Sequence, residues 1–391
     1  MLNTKLTPWP SFNIEEAEAV QSVLLSNKVN YWTGTECRDF EKEFAAWCDS
    51  KYAVALANGT LALDVAFKSL GIGAGDEVIV TSRTFLASAS SIVTAGANPV
   101  FADVDLDSQN ITADTIRAVL TPNTKAIICV HLAGWPCEMD DIMVLAQEKG
   151  LYVIEDCAQA HGAKYKGRSV GSIGHIAAWS FCQDKIMTTG GEGGMVTTND
   201  EQLWRKMWSY KDHGKSWEAV YERQHPPGFR WVHDSFGTNW RMMEMQAVIG
   251  RIQLRRMAEW TNKRQANADK IDQIANAFTS IRIPTIPVYI EHAQYKHYLF
   301  VEPTQLKEGW SRDRIIEALA ALDVPCYQGS CSEVYLETAF DGTPWRPAQR
   351  LAIARQLGET SLMFLVHPTL TDADMDLVCN GLNAVLSQAT L

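Results

Sequence analysis

"YAVALANGTLALDVAFKSLG", residues 52–71, carries the reading of the fold. Its first six residues form a short run without polar interruption, which reads as a strand buried on both faces. The remainder reads as a helix that Gly71 ends. The alternation then repeats. "DEVIVTS" (76–82), "NPVFADV" (98–104), "KAIICVHL" (125–132) and "LYVIED" (151–156) read as strands. "FLASASSIVTAG" (85–96), "TADTIRAVL" (112–120) and "EMDDIMVLAQEKG" (138–150) read as the helices between them. "HIAAWSF" (175–181) and "GGMVTT" (193–198) add two more strands. Short apolar strands separated by helices of about ten residues predict an α/β fold with a mainly parallel sheet covered on both faces.

After Asn239 the pattern changes. Residues 241–278 read as one long helical stretch, followed by a strand at "HYLFVEP" (297–303) and amphipathic helices at 312–322 and 373–388. The chain of 391 residues exceeds one ordinary domain. The expected division is a large domain over 1–250 and a linking helix with a small α+β domain over 251–391. One region, Lys211–Gly237, is polar, aromatic-rich and broken by Pro226 and Pro227. A loop of that length is either a lid over a site or a mobile surface segment.

The formal charge of −11 disfavours nucleic acid or an anionic membrane as a partner, since both need a basic face. The nine cysteines are odd in number and contain no CxxC pair, so they read as reduced thiols of a cytoplasmic protein, and no metal is expected. No run is apolar enough for a membrane span, and the start shows no basic-then-apolar leader.

In an open parallel sheet, ligands bind beyond the carboxyl ends of the strands. Three such ends carry chemistry here. Asn58-Gly59-Thr60 opens a helix, where free amides suit either a phosphate or ordinary capping. Glu155 and Asp156 end an apolar strand, and a buried carboxylate there needs a charged or hydrogen-bonding partner. Lys185 stands in "SFCQDKIMTTGGEGG" (180–194), before four glycines that leave room for a planar ring. Each taken singly has a plain structural explanation. Together, a phosphate cradle, a carboxylate and a lysine fit pyridoxal 5′-phosphate (PLP).

Over nearly its whole length the chain resembles the DegT–StrS-type sugar aminotransferases, a branch of the fold-type-I PLP enzymes. The matching segments are "NGTLAL", "GDEVIVTSRTFLASASSI", "PVFADVD", "VIEDCAQAHGA", "WSFCQDKIMTTGGEGG", "DHG" and "GTNWRMMEMQAVIGRIQL". The resemblance implies a seven-stranded sheet between helices, with Lys185 linked to the cofactor aldehyde and then shuttling the proton. It implies Asp156 at the pyridinium nitrogen, Gln159 at the phenolic oxygen and Phe85 stacked on the ring. Gly59, Thr60 and Ser180 would hold the phosphate, and Asn239 would reach the phosphate of a neighbouring subunit, making a homodimer with shared active sites. Tyr31, Trp32 and Thr33 would border the sugar.

The substrates implied are glutamate and an oxidised sugar. The favoured sugar is 8-oxo-Kdo, aminated to 8-amino-Kdo for lipopolysaccharide, with Arg230 or Arg241 taking its carboxylate. The alternative sugar is a nucleotide-linked (UDP, dTDP or GDP) keto-sugar. A PLP-dependent dehydratase is disfavoured because dehydratases carry histidine where Lys185 stands, and a non-catalytic sugar sensor because it would be expected to lose Lys185 or Asp156. Two departures from many relatives, Tyr298 in place of a histidine and the segment Cys326–Tyr335, bear on the sugar and not on the lysine chemistry.

Overall fold

The computed structural model describes residues 5–391; the first four residues of the start that was read for a leader lie outside the described residues. The strands of the large sheet are β1 (Tyr52–Leu56), β2 (Glu77–Thr81), β3 (Asn98–Ala102), β4 (Thr124–Val130) and β5 (Tyr152–Asp156). A small hairpin follows, β6 (Lys164–Tyr165) and β7 (Arg168–Ser169), before β8 (Ile176–Ser180) and β9 (Gly194–Thr198) complete the sheet. Its order is β1-β9-β8-β5-β4-β2-β3, seven strands. Only β9 runs against the rest, pairing antiparallel with both β1 and β8. The carboxyl ends of the other six therefore share one edge.

Alternate residues of single strands go to different apolar cores. Val78 and Val80 of β2 lie in one cluster and Ile79 in another; Ala126 and Ile128 of β4 are separated from Ile127 and Cys129 in the same way. Both faces are buried, which is why these strands read as unbroken apolar runs. Each fully buried Val, Leu or Ile contributes roughly 1.5–3 kcal/mol.

Two helices precede the sheet, α1 (Ile14–Leu25) and α2 (Glu36–Trp47). Those that follow are α3 (Gly59–Leu70), α4 (Ala87–Thr94), α5 (Ala113–Arg117), α6 (Met139–Lys149), α7 (Glu201–Tyr210) and α8 (Glu244–Ala275). As expected, α3 ends at Gly71, which adopts φ 70°. The stretch 112–120 is helical only as far as Arg117. The 32-residue α8 packs on α1, α2 and the helix Asp372–Ala389, and residue 250 falls inside it.

The C-terminal sheet comprises β10 (Ile281–Arg282), β12 (His297–Val301), β13 (Cys326–Tyr327) and β14 (Ser361–Phe364), while β11 (Ile290–Glu291) joins β6. Helices α9 (Arg312–Ala321), α10 (Ala352–Thr360) and α11 (Asp372–Ala389) accompany it. Its core joins Leu299, Phe364, Ile315 and Leu382 to Ile271 of α8.

Lys211–Gly237 is folded back on itself. Arg223 pairs with Asp234 at 2.7 Å, His225 Nε2 lies 2.6 Å from the Ala219 carbonyl, and Lys215 bridges to His233. All nine cysteines are unpaired. No helix among the described residues is long and apolar enough to cross a membrane.

Candidate active site

The three strand ends singled out by sequence lie on the shared edge. Beyond β1, the Asn58 carboxamide oxygen accepts the Leu61 amide at 3.0 Å and caps α3. The amides of Gly59 and Thr60, in the first turn, have no intrahelical acceptor. A Cβ at Gly59 would stand 2.6 Å from Ser180 Cβ and 3.0 Å from its Oγ. One at Gly194 would stand 2.2 Å from the Asn58 carbonyl oxygen. Glycine is thus required at both positions for β1, β8 and β9 to close around this helix end. Two free amides and the Ser180 hydroxyl form a donor set suited to a phosphate.

Beyond β5, neighbouring carboxyls face opposite surroundings. Glu155 is sealed: Oε1 accepts the amides of Ile173 (2.9 Å) and Gly174 (2.6 Å), and Oε2 accepts the Gly171 amide (2.8 Å) and lies 3.0 Å from His131 Nε2. Burial opposes its charge, yet His131 and the amides hold its carboxyl below the usual range. Cys157 adjoins this pair, but the four donors leave Glu155 nothing to offer a metal ion. Asp156 is different. Oδ2 accepts the Ser88 hydroxyl at 2.8 Å and Oδ1 the Ala158 amide at 3.1 Å. Burial pushes its carboxyl up, and Ser88, Ala158 and Lys185 only partly offset that. A buried carboxylate with acceptor capacity left suits a protonated ring nitrogen.

Gln159 is buried, and its Oε1 accepts the Ala133 amide at 2.8 Å. That orientation leaves the amide NH₂ as the end available to a ligand oxygen. Phe85, beyond β2, is 71 % exposed, which leaves its ring free to stack on a planar ligand. Lys185, beyond β8, is mostly buried. Its carbonyl accepts Trp9 Nε1–H at 2.9 Å, fixing the N-terminal segment against it. Its Nζ lies 3.8 Å from Asp184 Oδ1, and the Tyr295 hydroxyl donates to Asp184 Oδ2 at 2.5 Å.

The residues expected at the sugar side are placed unevenly. Tyr31 belongs to the core, its hydroxyl donating to Glu41 at 3.1 Å, with the Lys211 ammonium 3.2 Å from its ring centre. Burial of that ammonium lowers the Lys211 pKa to about 8. Trp32 donates to Asp212 at 2.9 Å, and the exposed Thr33 donates to the Asn30 carbonyl. Arg241, expected to take a carboxylate, is ion-paired with buried Asp212 at 2.7 Å. Arg230, expected in the same role, donates to the Val220 carbonyl of its own loop at 2.6 Å. Neither guanidinium is brought to Lys185 by a contact. Asn239 is exposed, next to Trp240, whose carbonyl accepts the Ala57 amide beyond β1.

The family model of the DegT/DnrJ/EryC1/StrS aminotransferases matches residues 10–383. The chain belongs to that family. The protein is therefore an aminotransferase whose cofactor is PLP, and the donors described above fit that group: amides and a hydroxyl for the phosphate, a carboxyl for the ring nitrogen, a lysine for the aldehyde. GDP-perosamine synthase of Caulobacter vibrioides is 38 % identical over 358 residues, 89 % of either chain. UDP-N-acetyl-3-dehydro-alpha-D-glucosamine 3-aminotransferase of Acidithiobacillus ferrooxidans is 39 % identical over 77 % of this chain and 74 % of its own. The crystal structure of an aminotransferase from Psychrobacter cryohalolentis is 65 % identical, with TM-score 0.96 over 98 % of this chain and 99 % of that one.

Sequence reasoning missed Ser88, Trp9, Asp184 and Tyr295. Asp184 abuts the lysine and was visible as its only charged neighbour. The others come from remote segments, and no spacing along the chain announces them.

Proposed function

We propose that this aminotransferase moves an amino group from glutamate to the carbonyl of a nucleotide-linked keto-sugar. The family membership and the shared strand edge holding Asp156 and Lys185 support the reaction. The substrate class is supported by the relatives, a GDP-perosamine synthase and a UDP-linked 3-dehydro-sugar aminotransferase. The relatives described above support the nucleotide-linked class rather than 8-oxo-Kdo, and Arg230 and Arg241, the expected carboxylate seats, are engaged elsewhere. Overall, glutamate becomes 2-oxoglutarate and the sugar C=O becomes CH–NH₂, with no net oxidant needed.

When bound, PLP supplies an electron sink for the carbon that loses its proton. The chain's own residues do the remainder. Lys185 would hold the aldehyde and would move the transferred proton at Nζ. Asp156 keeps the ring nitrogen protonated, and Ser88 keeps Asp156 in place. Gln159 turns its NH₂ toward the phenolic oxygen, and Phe85 covers a ring face. Gly59, Thr60 and Ser180 anchor the phosphate, with Asn239 from the neighbouring subunit of a homodimer. Lys185 weighs against a dehydratase, and the retention of both Lys185 and Asp156 weighs against a sensor.

The test offers the PLP-loaded protein and glutamate, in parallel, a GDP-linked 4-keto sugar, a UDP-linked 3-keto sugar, a dTDP-linked keto sugar and 8-oxo-Kdo. Products are weighed by mass spectrometry. Amination of a nucleotide-linked sugar is expected; amination of the octulosonate alone sinks the proposed substrate class and spares the family.

A further inference from the structure

Lys185 is not the only cation at this end of the sheet. Lys296, just before β12, is half-buried and holds its ammonium 4.8 Å from the centre of the Tyr295 ring. The Lys185 ammonium lies 5.3 Å from the centre of that same ring. Arg264 of α8 stands behind them. It is buried, its Nη1 donates to the Tyr295 carbonyl at 3.4 Å, and its Nε and Nη2 have no partner. The carboxylate in this group is Asp184, and it is shared: it takes the Tyr295 hydroxyl at 2.5 Å and lies 3.8 Å from Lys185 Nζ. His367, nearby, is kept neutral by burial and by Arg264 and Lys296, its pKa lowered to about 3. Three cations thus face one carboxylate. Among the described residues, no carboxylate lies within ion-pair distance of Lys296.

The backbone fixes Lys296 in this position. The Tyr295 amide donates to the Ala133 carbonyl and the Ala293 amide to the Gly134 carbonyl, each at 2.9 Å. The Ala133 amide in turn donates to Gln159. The segment before β12 is thereby tied to the residue expected at the ring's phenolic oxygen on one side and, through Tyr295 and Asp184, to Lys185 on the other. A half-buried ammonium that makes no direct ion pair and shares its one nearby carboxylate with two other cations costs stability unless something further pairs with it. An α-amino acid whose nitrogen is exchanged at Lys185 brings a carboxylate within two bonds of that nitrogen.

We infer that Lys296 is the seat for a carboxylate of the amino-acid donor. This rests on the reading that an amino acid supplies the nitrogen. It gives the small sheet a part in donor selection and leaves the sugar to other residues. Burial lowers the Lys296 pKa to about 8, with Asp184 opposing the shift and Arg264 and Lys185 adding to it, so an arriving anion supplements the one shared carboxylate.

The experiment titrates the PLP-loaded protein with glutarate, a dicarboxylate that cannot react, by calorimetry. A parallel titration uses UDP, which has phosphates and no carboxylate. In Lys296→Met the glutarate Kd should rise about 10- to 100-fold, the loss of one charge-assisted bond. Lys296→Arg should stay within a few-fold of wild type, with PLP content and visible spectrum preserved in both. Lys296→Gln replaces the Met variant if that one fails to fold. Glutarate affinity unchanged in the neutral variants, a loss confined to UDP, or no glutarate binding by the wild type each overturns the inference. A separate mix with L-glutamate reads the donor assumption: if the PLP spectrum does not change while glutarate binding still depends on Lys296, the donor is a different carboxylate-bearing amine, the seat stands, and the glutamate reading fails.

Discussion

Glu155 and Asp156 are consecutive residues of one strand, yet they do opposite work. Glu155 points into a closed network of three amides and His131, which saturates its oxygens and lowers its pKa. Asp156 points to the sheet edge with two donors, and burial raises its pKa. A carboxyl with every acceptor site filled ties the 171–174 turn to β5 and has nothing left for a ligand. A carboxyl left under-supplied in a buried place is prepared for a cation that arrives later.

The strongest way to break this comparison goes through the ligand itself. Lys185→Ala should lower turnover by more than about 1000-fold and abolish cofactor retained on the protein after borohydride reduction and denaturation. Covalent cofactor surviving in that variant would place the link on another residue. Asp156→Asn should cut turnover about 100- to 1000-fold while some PLP remains bound, because a neutral amide no longer keeps the ring nitrogen protonated. Turnover at the wild-type rate would remove Asp156 from the chemistry.

Mixing Lys185→Ala with Asn239→Ala chains should restore roughly a quarter of wild-type activity after full subunit exchange, since half the dimers are hybrids with one intact site. No recovery, with both parents inactive and exchange verified, would count against a shared site.

Glu155→Ala sharpens the contrast from the other side. It should destabilise folding by about 3–5 kcal/mol by stranding His131 and the turn amides. Glu155 has its pKa depressed below 4.5, so the stability it lends is present above that pH and is lost as pH falls through the folded value. Denaturant melts from pH 6 down to pH 3 should therefore show a shallower acid loss in Glu155→Ala. For Asp156 the sign is reversed. With its pKa raised above 3.8, its contribution is present below that pH and disappears as pH rises through the folded value. An equally steep acid loss in the Glu155 variant would mean that Glu155 is not the titrating group. The smallest effect belongs to Arg230→Ala, which should change the sugar KM by less than about 3-fold, because its bonds go to its own loop. A tenfold rise would bring Arg230 into the sugar site.

The sequence by itself determined the sheet, because strands buried on both faces must be apolar throughout and the helices between them must not be. It also determined the lysine, the strand-end carboxyl and the glycine-opened helix, since a parallel sheet delivers its strand ends to one edge whatever the loops do. Pattern and spacing could not say which of Glu155 and Asp156 faces the site; only the family resemblance chose Asp156. That depended on where the 171–174 amides and Ser88 came to rest, neither of which is adjacent to β5 in sequence. Nor could the sequence show that Tyr31 is core, that Arg241 is held by Asp212, or that Lys296 stands by Lys185 with no carboxylate within ion-pair distance. Pairing of side chains is a property of three-dimensional neighbours, and here those neighbours lie from 16 residues apart (Glu155 and the Gly171 amide) to more than a hundred (Lys185 and Lys296).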